Sequence, residues 1–185
     1  MTGLDPAPEA IASAQRRYAG LRFVRGSAES LPFPDGHLEG AVFLNALHHV
    51  GRMEEALAEA TRVVVPGRPI LVVEPLARGS FFDALLPVED ESDIRHAAQA
   101  ALATVIASGS LECVREVEYE RADAFADCDA FLARVVAADA RRAAQIETKR
   151  AMIEAVFGRH ATCDDRGRFA LVQPLRGHVL RRPEP

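Results

Sequence analysis

Apolar and polar positions along the chain change period several times, and each change predicts an element. Ala41–Leu44 is an unbroken apolar run, too short for a helix and suited to a strand buried on both faces within a strand predicted over Glu39–Leu44. Ile70–Val73 is a second such run, mostly β-branched and closed by Glu74 and Pro75. Between them, Glu54–Val64 places Ala56, Leu57, Ala60 and Val63 against Glu54, Glu55, Glu59 and Arg62, the signature of an amphipathic helix facing a sheet, with Pro66 and Gly67 ending it. Strand, helix and strand in succession predict an α/β fold built on a parallel sheet.

Upstream, Thr2–Asp5 reads as the tail of a strand cut off by Pro6 and Pro8. Pro8–Tyr18 carries Ile11, Ala14 and Tyr18 at helical spacing, Gly20 stops it, and Leu21–Val24 is a further strand. Gly26 opens a loop in which Leu31, Pro32, Phe33, Pro34, Asp35 and Gly36 make a proline-stiffened turn. Downstream, Phe81–Ala107 turns helical, with Pro87 and an acidic run separating two helices. Leu111–Tyr119 alternates as an edge or half-exposed strand does, Phe131–Val136 and Ala143–Phe157 are helices, and Arg168–Leu180 is a final strand interrupted or bulged near Pro174, which lacks a donor for the ladder. The tail after Leu180 is expected to be disordered.

With 185 residues, 49% of them hydrophobic, the chain is long enough for one well-buried domain. Its net charge of −5 and scattered basic residues argue against a nucleic-acid or membrane-surface footprint. Cys113, Cys128 and Cys163 are odd in number and far apart, as free thiols in a reducing compartment would be. The first residues lack a basic segment followed by an apolar one, and no apolar run approaches membrane-spanning length, so a cytoplasmic location is expected.

Leu4-Asp5-Pro6, the stretch GSAESLPFPDGHLEGAVFLNALHHV (Gly26–Val50) and VVVPGRPILVVEP (Val63–Pro75) together resemble the class I S-adenosylmethionine-dependent methyltransferases, type 11, the group of the ubiquinone and menaquinone methyltransferases. The resemblance covers roughly residues 3–76. It implies an N-terminally truncated Rossmann-like sheet with a helical lid: one methyltransferase-like domain over 1–185, with a cofactor-side core in 1–76, a mostly helical lid with one strand in 77–160, and a final strand and tail in 161–185. It also implies methyl transfer from S-adenosyl-L-methionine to a small-molecule acceptor. Asp5 matches the acidic strand end that binds the ribose diol. Gly26-Ser27-Ala28 stands where the family has Gly-Asp-Ala beside the adenine, so the aspartate's contact is weakened, made through water, or handed to Glu29. Asn45 and Leu47 match residues close to the methionine moiety and the acceptor. His48 or His49 is a candidate general base, having an imidazole pKa near neutrality.

No GxGxG loop occurs in the chain, and in the family's strand order 3-2-1-4-5-7-6 the first strand would precede Met1. Three expectations follow: a start internal to a longer protein, direct pairing of the family's strands 3 and 4, or a gap filled by another chain or a symmetry mate. A homo-oligomer is therefore among the expected states, and a methyltransferase-like remnant without catalysis, acting as a binding or assembly module, is the alternative function. Several residues carry a blander reading. Asp5 also suits a turn or helix cap, Glu74 a polar strand exit, and Glu89, Asp90, Glu91 and Asp93 a solvated helix N-terminus. Phe81, Phe82, Phe131 and Val135 suit either an acceptor pocket or a core. His37, His48 and His49 have no carboxylate or cysteine at ligand spacing, so no metal is expected.

Overall fold

The computed structural model describes residues 1–183. Its strands are β1 (Thr2–Asp5), β2 (Arg22–Arg25), β3 (Ala41–Leu44), β4 (Pro69–Pro75), β5 (Glu112–Phe125), β6 (Thr162–Cys163) and β7 (Phe169–Arg181). Its α-helices are α1 (Pro8–Arg17), α2 (Met53–Val63), α3 (Ser80–Leu85), α4 (Ser92–Ala107), α5 (Cys128–Ala138) and α6 (Ala143–His160). β1 and β2 pair in parallel as a two-stranded sheet, Asp5 opposite Arg25. A second sheet runs in the order β3-β4-β7-β5, with β6 antiparallel to β7. β3 and β4 are parallel, Ala41 opposite Ile70. Among the described residues β2 does not pair with β3, which removes the direct pairing entertained above.

The chain divides into two compact units. One comprises residues 1–74, 98–116 and 177–185, the other residues 75–97 and 117–176. In the first, α2 buries Ala56, Leu57, Ala60 and Val63 against Phe43, Ile70, Val72, Leu102 and Leu180, the face its sequence period predicts. Helix α1 has Pro8 in its first turn and Arg16 and Arg17 in its last, a favourable order against the helix dipole, yet it buries no residue.

The second unit is held by aromatic packing. Phe131 is fully buried and meets Phe81 and Phe125 edge to face, with ring centroids 5.6 and 5.5 Å away. Phe131 and Val135 thus belong to a core, and Phe82 is buried beneath the Arg95 guanidinium, 4.8 Å from its ring centroid. Helix α5 starts where the Asp127 carboxylate accepts from the Ala130 amide at 2.8 Å.

Three expectations change. Strand β7 runs unbroken through Pro174, whose carbonyl accepts from the Leu76 amide at 3.0 Å, so the missing N–H does not interrupt the strand. β5 extends to Phe125 rather than stopping at Tyr119, and it closes the path of its sheet as an edge strand. Arg181 still belongs to β7, and of the expected disordered tail, Glu184 and Pro185 lie outside the described residues.

Gly79 takes φ +99° beside β7, and a Cβ there would lie 2.7 Å from the Val172 carbonyl oxygen. Both the backbone conformation and the space require glycine. Gly79→Ala is expected to cost about 2 kcal/mol or more and to lower the melting temperature by roughly 4–8 °C, read by thermal denaturation. An unchanged melting point would show that the turn after β4 adopts another conformation.

Candidate functional site

In the first unit, chemistry-bearing residues gather at the carboxyl ends of the parallel strands, where open α/β sheets place ligands. The segment after β3 is built around one carboxylate. Glu74, fully buried near the end of β4, accepts through Oε1 from the amides of Ala46 (3.0 Å) and Leu47 (2.8 Å). Its Oε2 accepts from the His48 amide (3.3 Å) and pairs with His48 Nδ1. These contacts fix a short 3₁₀ turn over Leu47–His49. Burial favours the neutral acid, but the His48 ring and the amides outweigh it and hold the Glu74 carboxyl below the usual range.

Asn45 bridges strand and turn. Its amide donates to the Val73 carbonyl at 2.8 Å, and its φ of +49° is a conformation that asparagine tolerates better than most residues. Its Oδ1 is buried and accepts no hydrogen bond among the described residues. A buried carbonyl oxygen with no partner is costly unless a ligand supplies the donor. His48 is buried and His49 is exposed, their ring centroids 3.9 Å apart.

The loop after β2 is tied to α2. The Ser27 hydroxyl donates to Glu29 Oε2, the Glu29 amide donates back to Ser27 Oγ at 3.3 Å, and Glu29 Oε1 accepts from the Arg52 amide at the start of α2. Glu29 consequently stays ionised, its carboxyl lowered chiefly by the Ser27 hydroxyl. Ser27 is thus turned onto Glu29, whose carboxylate stands beside it in the loop. Ala28 packs against the core of the unit. Farther along, Arg62 donates to the carbonyls of Phe33 (2.9 Å) and Leu31 (3.1 Å) and to Asp35 (2.7 Å), while Glu59 accepts from the Leu31 amide at 2.8 Å and from Arg62. The Arg62 guanidinium draws the Glu59 carboxyl down to about 2.

Asp5 ends β1 half-buried, and its Oδ1 accepts from the Ala7 amide at 2.8 Å, bracing the entry to α1. Of the expected site residues, Ser27, Ala28 and Glu29 share one loop and Asn45, His48 and His49 another. Asp5 stands at the neighbouring end of β1, whose carbonyl accepts from the Gly26 amide at 3.1 Å.

Two groups escape the sequence reading. Glu74 is more than a polar strand exit, since it is fully buried; its signal is a carboxylate in a strand otherwise apolar, a placement that burial permits only with partners in reach. Glu91, in the second unit, is buried rather than solvated. It pairs with Arg95 (2.7 Å) and Arg142 (2.7 Å), and Arg95 also reaches the buried Gln173 at 3.0 Å. Asp90 does behave as a helix start should, accepting from the Ser92 amide at 2.9 Å.

Residues 1–72 match the family described as Methyltransferase domain. Among curated proteins, the chain is 46% identical over 59 residues to the ubiquinone/menaquinone biosynthesis C-methyltransferase of Methylobacterium nodulans, 31% of this chain and 23% of that protein. It is 37% identical over 79 residues to a fatty-acid O-methyltransferase of Mycolicibacterium smegmatis, 42% of this chain and 29% of the other. To the demethylmenaquinone methyltransferase of Thermus thermophilus it is 33% identical over 87 residues, 44% and 40% of the two chains. The match therefore spans less than half the length of each of these relatives. In three dimensions the chain is similar to a protein of Bacillus halodurans, with TM-score 0.64 and 18% identity over 99% of this chain and 83% of that one. It is also similar to the YcgJ protein of Bacillus subtilis, with TM-score 0.57 and 22% identity over 100% and 82%. Both likenesses show the Rossmann-like fold. No helix among the described residues is long and apolar enough to cross a membrane.

Glu59 and Glu74 both have folded pKa values below the ordinary 4.5. Their stabilising contribution is complete above that value and lost as pH falls through the folded pKa. Urea unfolding is expected to show stability falling below about pH 4.5 and, for Glu59, continuing toward about 2. Glu59→Gln should flatten the lower part of that slope and lower stability at neutral pH by roughly 1–2 kcal/mol. A slope unchanged in the variant would show that Glu59 and Arg62 do not hold the 31–36 loop.

Proposed function

Since the chain carries a class I methyltransferase domain of type 11 in its first 72 residues, we propose that it transfers a methyl group from S-adenosylmethionine to a small-molecule acceptor. The observation that carries this reading is the buried, partnerless Asn45 Oδ1 at the carboxyl end of β3, held in place by the Glu74-braced turn. It fits an ammonium donor such as the amino group of the cofactor's methionine moiety. Asp5, at the end of β1, would accept from the ribose hydroxyls through its second carboxylate oxygen. Ser27, Ala28 and Glu29 would border the adenine, with the Glu29 carboxylate accepting from its amino group in place of the family's aspartate. S-adenosylmethionine would supply a sulfonium, whose thioether is a good leaving group.

What the chain's own residues must then do is orient the acceptor and take its proton, since alignment supplies much of the rate in such a transfer. His48 and His49 stand at the carboxyl end of β3 for that purpose. The relatives act on quinone precursors and lipids by their names, which favours an apolar acceptor bearing an acidic O–H or C–H group.

A second reading has its own observation. Val42 and Leu44 on β3 are 65% and 62% exposed, unusual for the apolar strand of a parallel sheet, and this favours a non-catalytic binding module. Isothermal titration with S-adenosylmethionine and S-adenosylhomocysteine separates the two. Binding is expected, and Asp5→Ala should weaken it by about 1–3 kcal/mol, or roughly 5–150-fold. Absence of heat with both ligands would overturn the enzyme reading and leave the module.

A further inference from the structure

The turn after β3 offers two adjacent imidazoles and one buried carboxylate, and the geometry distinguishes among them. Building on the methyl-transfer reading above, we propose that Glu74 is a positioning residue. It holds His48 with its proton on Nδ1, so that Nε2 is the atom that takes the acceptor's proton.

Three backbone donors, from Ala46, Leu47 and His48, converge on the Glu74 carboxylate. An ionised carboxylate only accepts, so the hydrogen between Glu74 Oε2 and His48 Nδ1 belongs to the ring. A neutral imidazole protonated at Nδ1 has its lone pair on Nε2. The pairing is sealed from water, with side-chain exposures of 3% for His48 and 1% for Glu74. It therefore persists as a fixed hydrogen bond and not as a fluctuating surface ion pair. His49, by contrast, is exposed, with its ring tilted 43° to that of His48.

In the step so arranged, the acceptor's proton passes to His48 Nε2, and the electron pair left on the acceptor forms the bond to the methyl carbon. The carbon–sulfur bond breaks with its pair remaining on sulfur, which becomes a neutral thioether. His48 becomes imidazolium, and its new positive charge faces the Glu74 carboxylate, which stabilises it without taking the proton.

Glu74→Gln tests this with little change in shape. The glutamine carbonyl can still accept from the Ala46 and Leu47 amides, while its NH₂ group would face Nδ1 as a donor, force the proton to Nε2 and leave the His48 amide without its acceptor. In the full chain labelled with ¹⁵N-histidine, His48 is expected to show a protonated Nδ1, moving to a protonated Nε2 in the variant. With a methyl acceptor, kcat should fall about 10²–10⁴-fold, with KM and cofactor affinity changed less than about threefold. His48→Gln should cost a similar factor, and the double variant no more than either single one, because both remove the same function. An Nε2-protonated His48 in the unaltered protein, an unchanged kcat in Glu74→Gln, multiplying losses in the double variant, or a loss that follows His49→Gln and spares His48→Gln would each overturn the proposal. The ring-nitrogen spectrum requires neither cofactor nor acceptor. Failure of the positioning role is thereby distinguished from failure of the methyl-transfer reading, which shows as absent cofactor binding.

Discussion

A carboxylate buried at the end of a strand must be compensated by several donors at once, and in this chain that requirement shapes the whole exit of β3. Glu74 is fully buried, and desolvating an isolated carboxylate costs several kcal/mol even after relaxation. Three amides and an imidazole offset that cost only if Ala46, Leu47 and His48 curl back toward β4. The positive φ of Asn45 is the hinge that makes the curl possible, and the parallel pairing of β3 with β4 sets its distance from Glu74. Remove the carboxylate, and nothing in this geometry would keep Asn45 strained or His48 inside.

The same logic, weaker because it is nearer water, governs the loop after β2. Arg62 has five donors and spends them on two carbonyls and two carboxylates, converting the proline-stiffened turn from Leu31 to Asp35 into an extension of α2. Glu29 repeats the theme at the other end of the helix by reaching the Arg52 amide. Both ends of α2 therefore fix the loop that follows β2, and a helix whose apolar face is buried is a rigid support for it. A loop held this way can present backbone and side-chain groups to a ligand without losing much entropy when it binds.

Most elements were legible because their apolar period is strong. Ile70–Val73 and the α2 face fall where the pattern puts them, Ala41–Leu44 is a strand but is buried on one face and not on both, and the resemblance carried by Gly26–Val50 predicts the family that residues 1–72 match. Partnering was not legible. Glu74 and Glu91 are ordinary acidic letters, and only three-dimensional neighbours distant in sequence make them buried: His48 for the first, Arg142 for the second. Pro174 misled for a related reason, since whether a missing N–H matters depends on which ladder position it occupies. Ser27 was legible as a departure, but its commitment to Glu29 depends on a loop rotamer that no spacing rule encodes.

Hydrogen-bond parity explains what β3 leaves open. The Asn45 amide bonds to the Val73 carbonyl, and in a parallel ladder alternate residues of a strand face the same neighbour, so the backbone groups of Val42 and Leu44 turn away from β4. Their side chains are also uncovered, while Phe43 on the opposite face is buried. On β1, the Asp5 carbonyl is engaged by Gly26, so by the same rule Leu4 turns its backbone away from β2. Exposed apolar side chains coinciding with open backbone groups are a combination that sheet proteins usually avoid. For the cofactor proposed above, the groups in place to receive it would be Asn45, beside the Glu74-braced turn, and Glu29, tied to the start of α2.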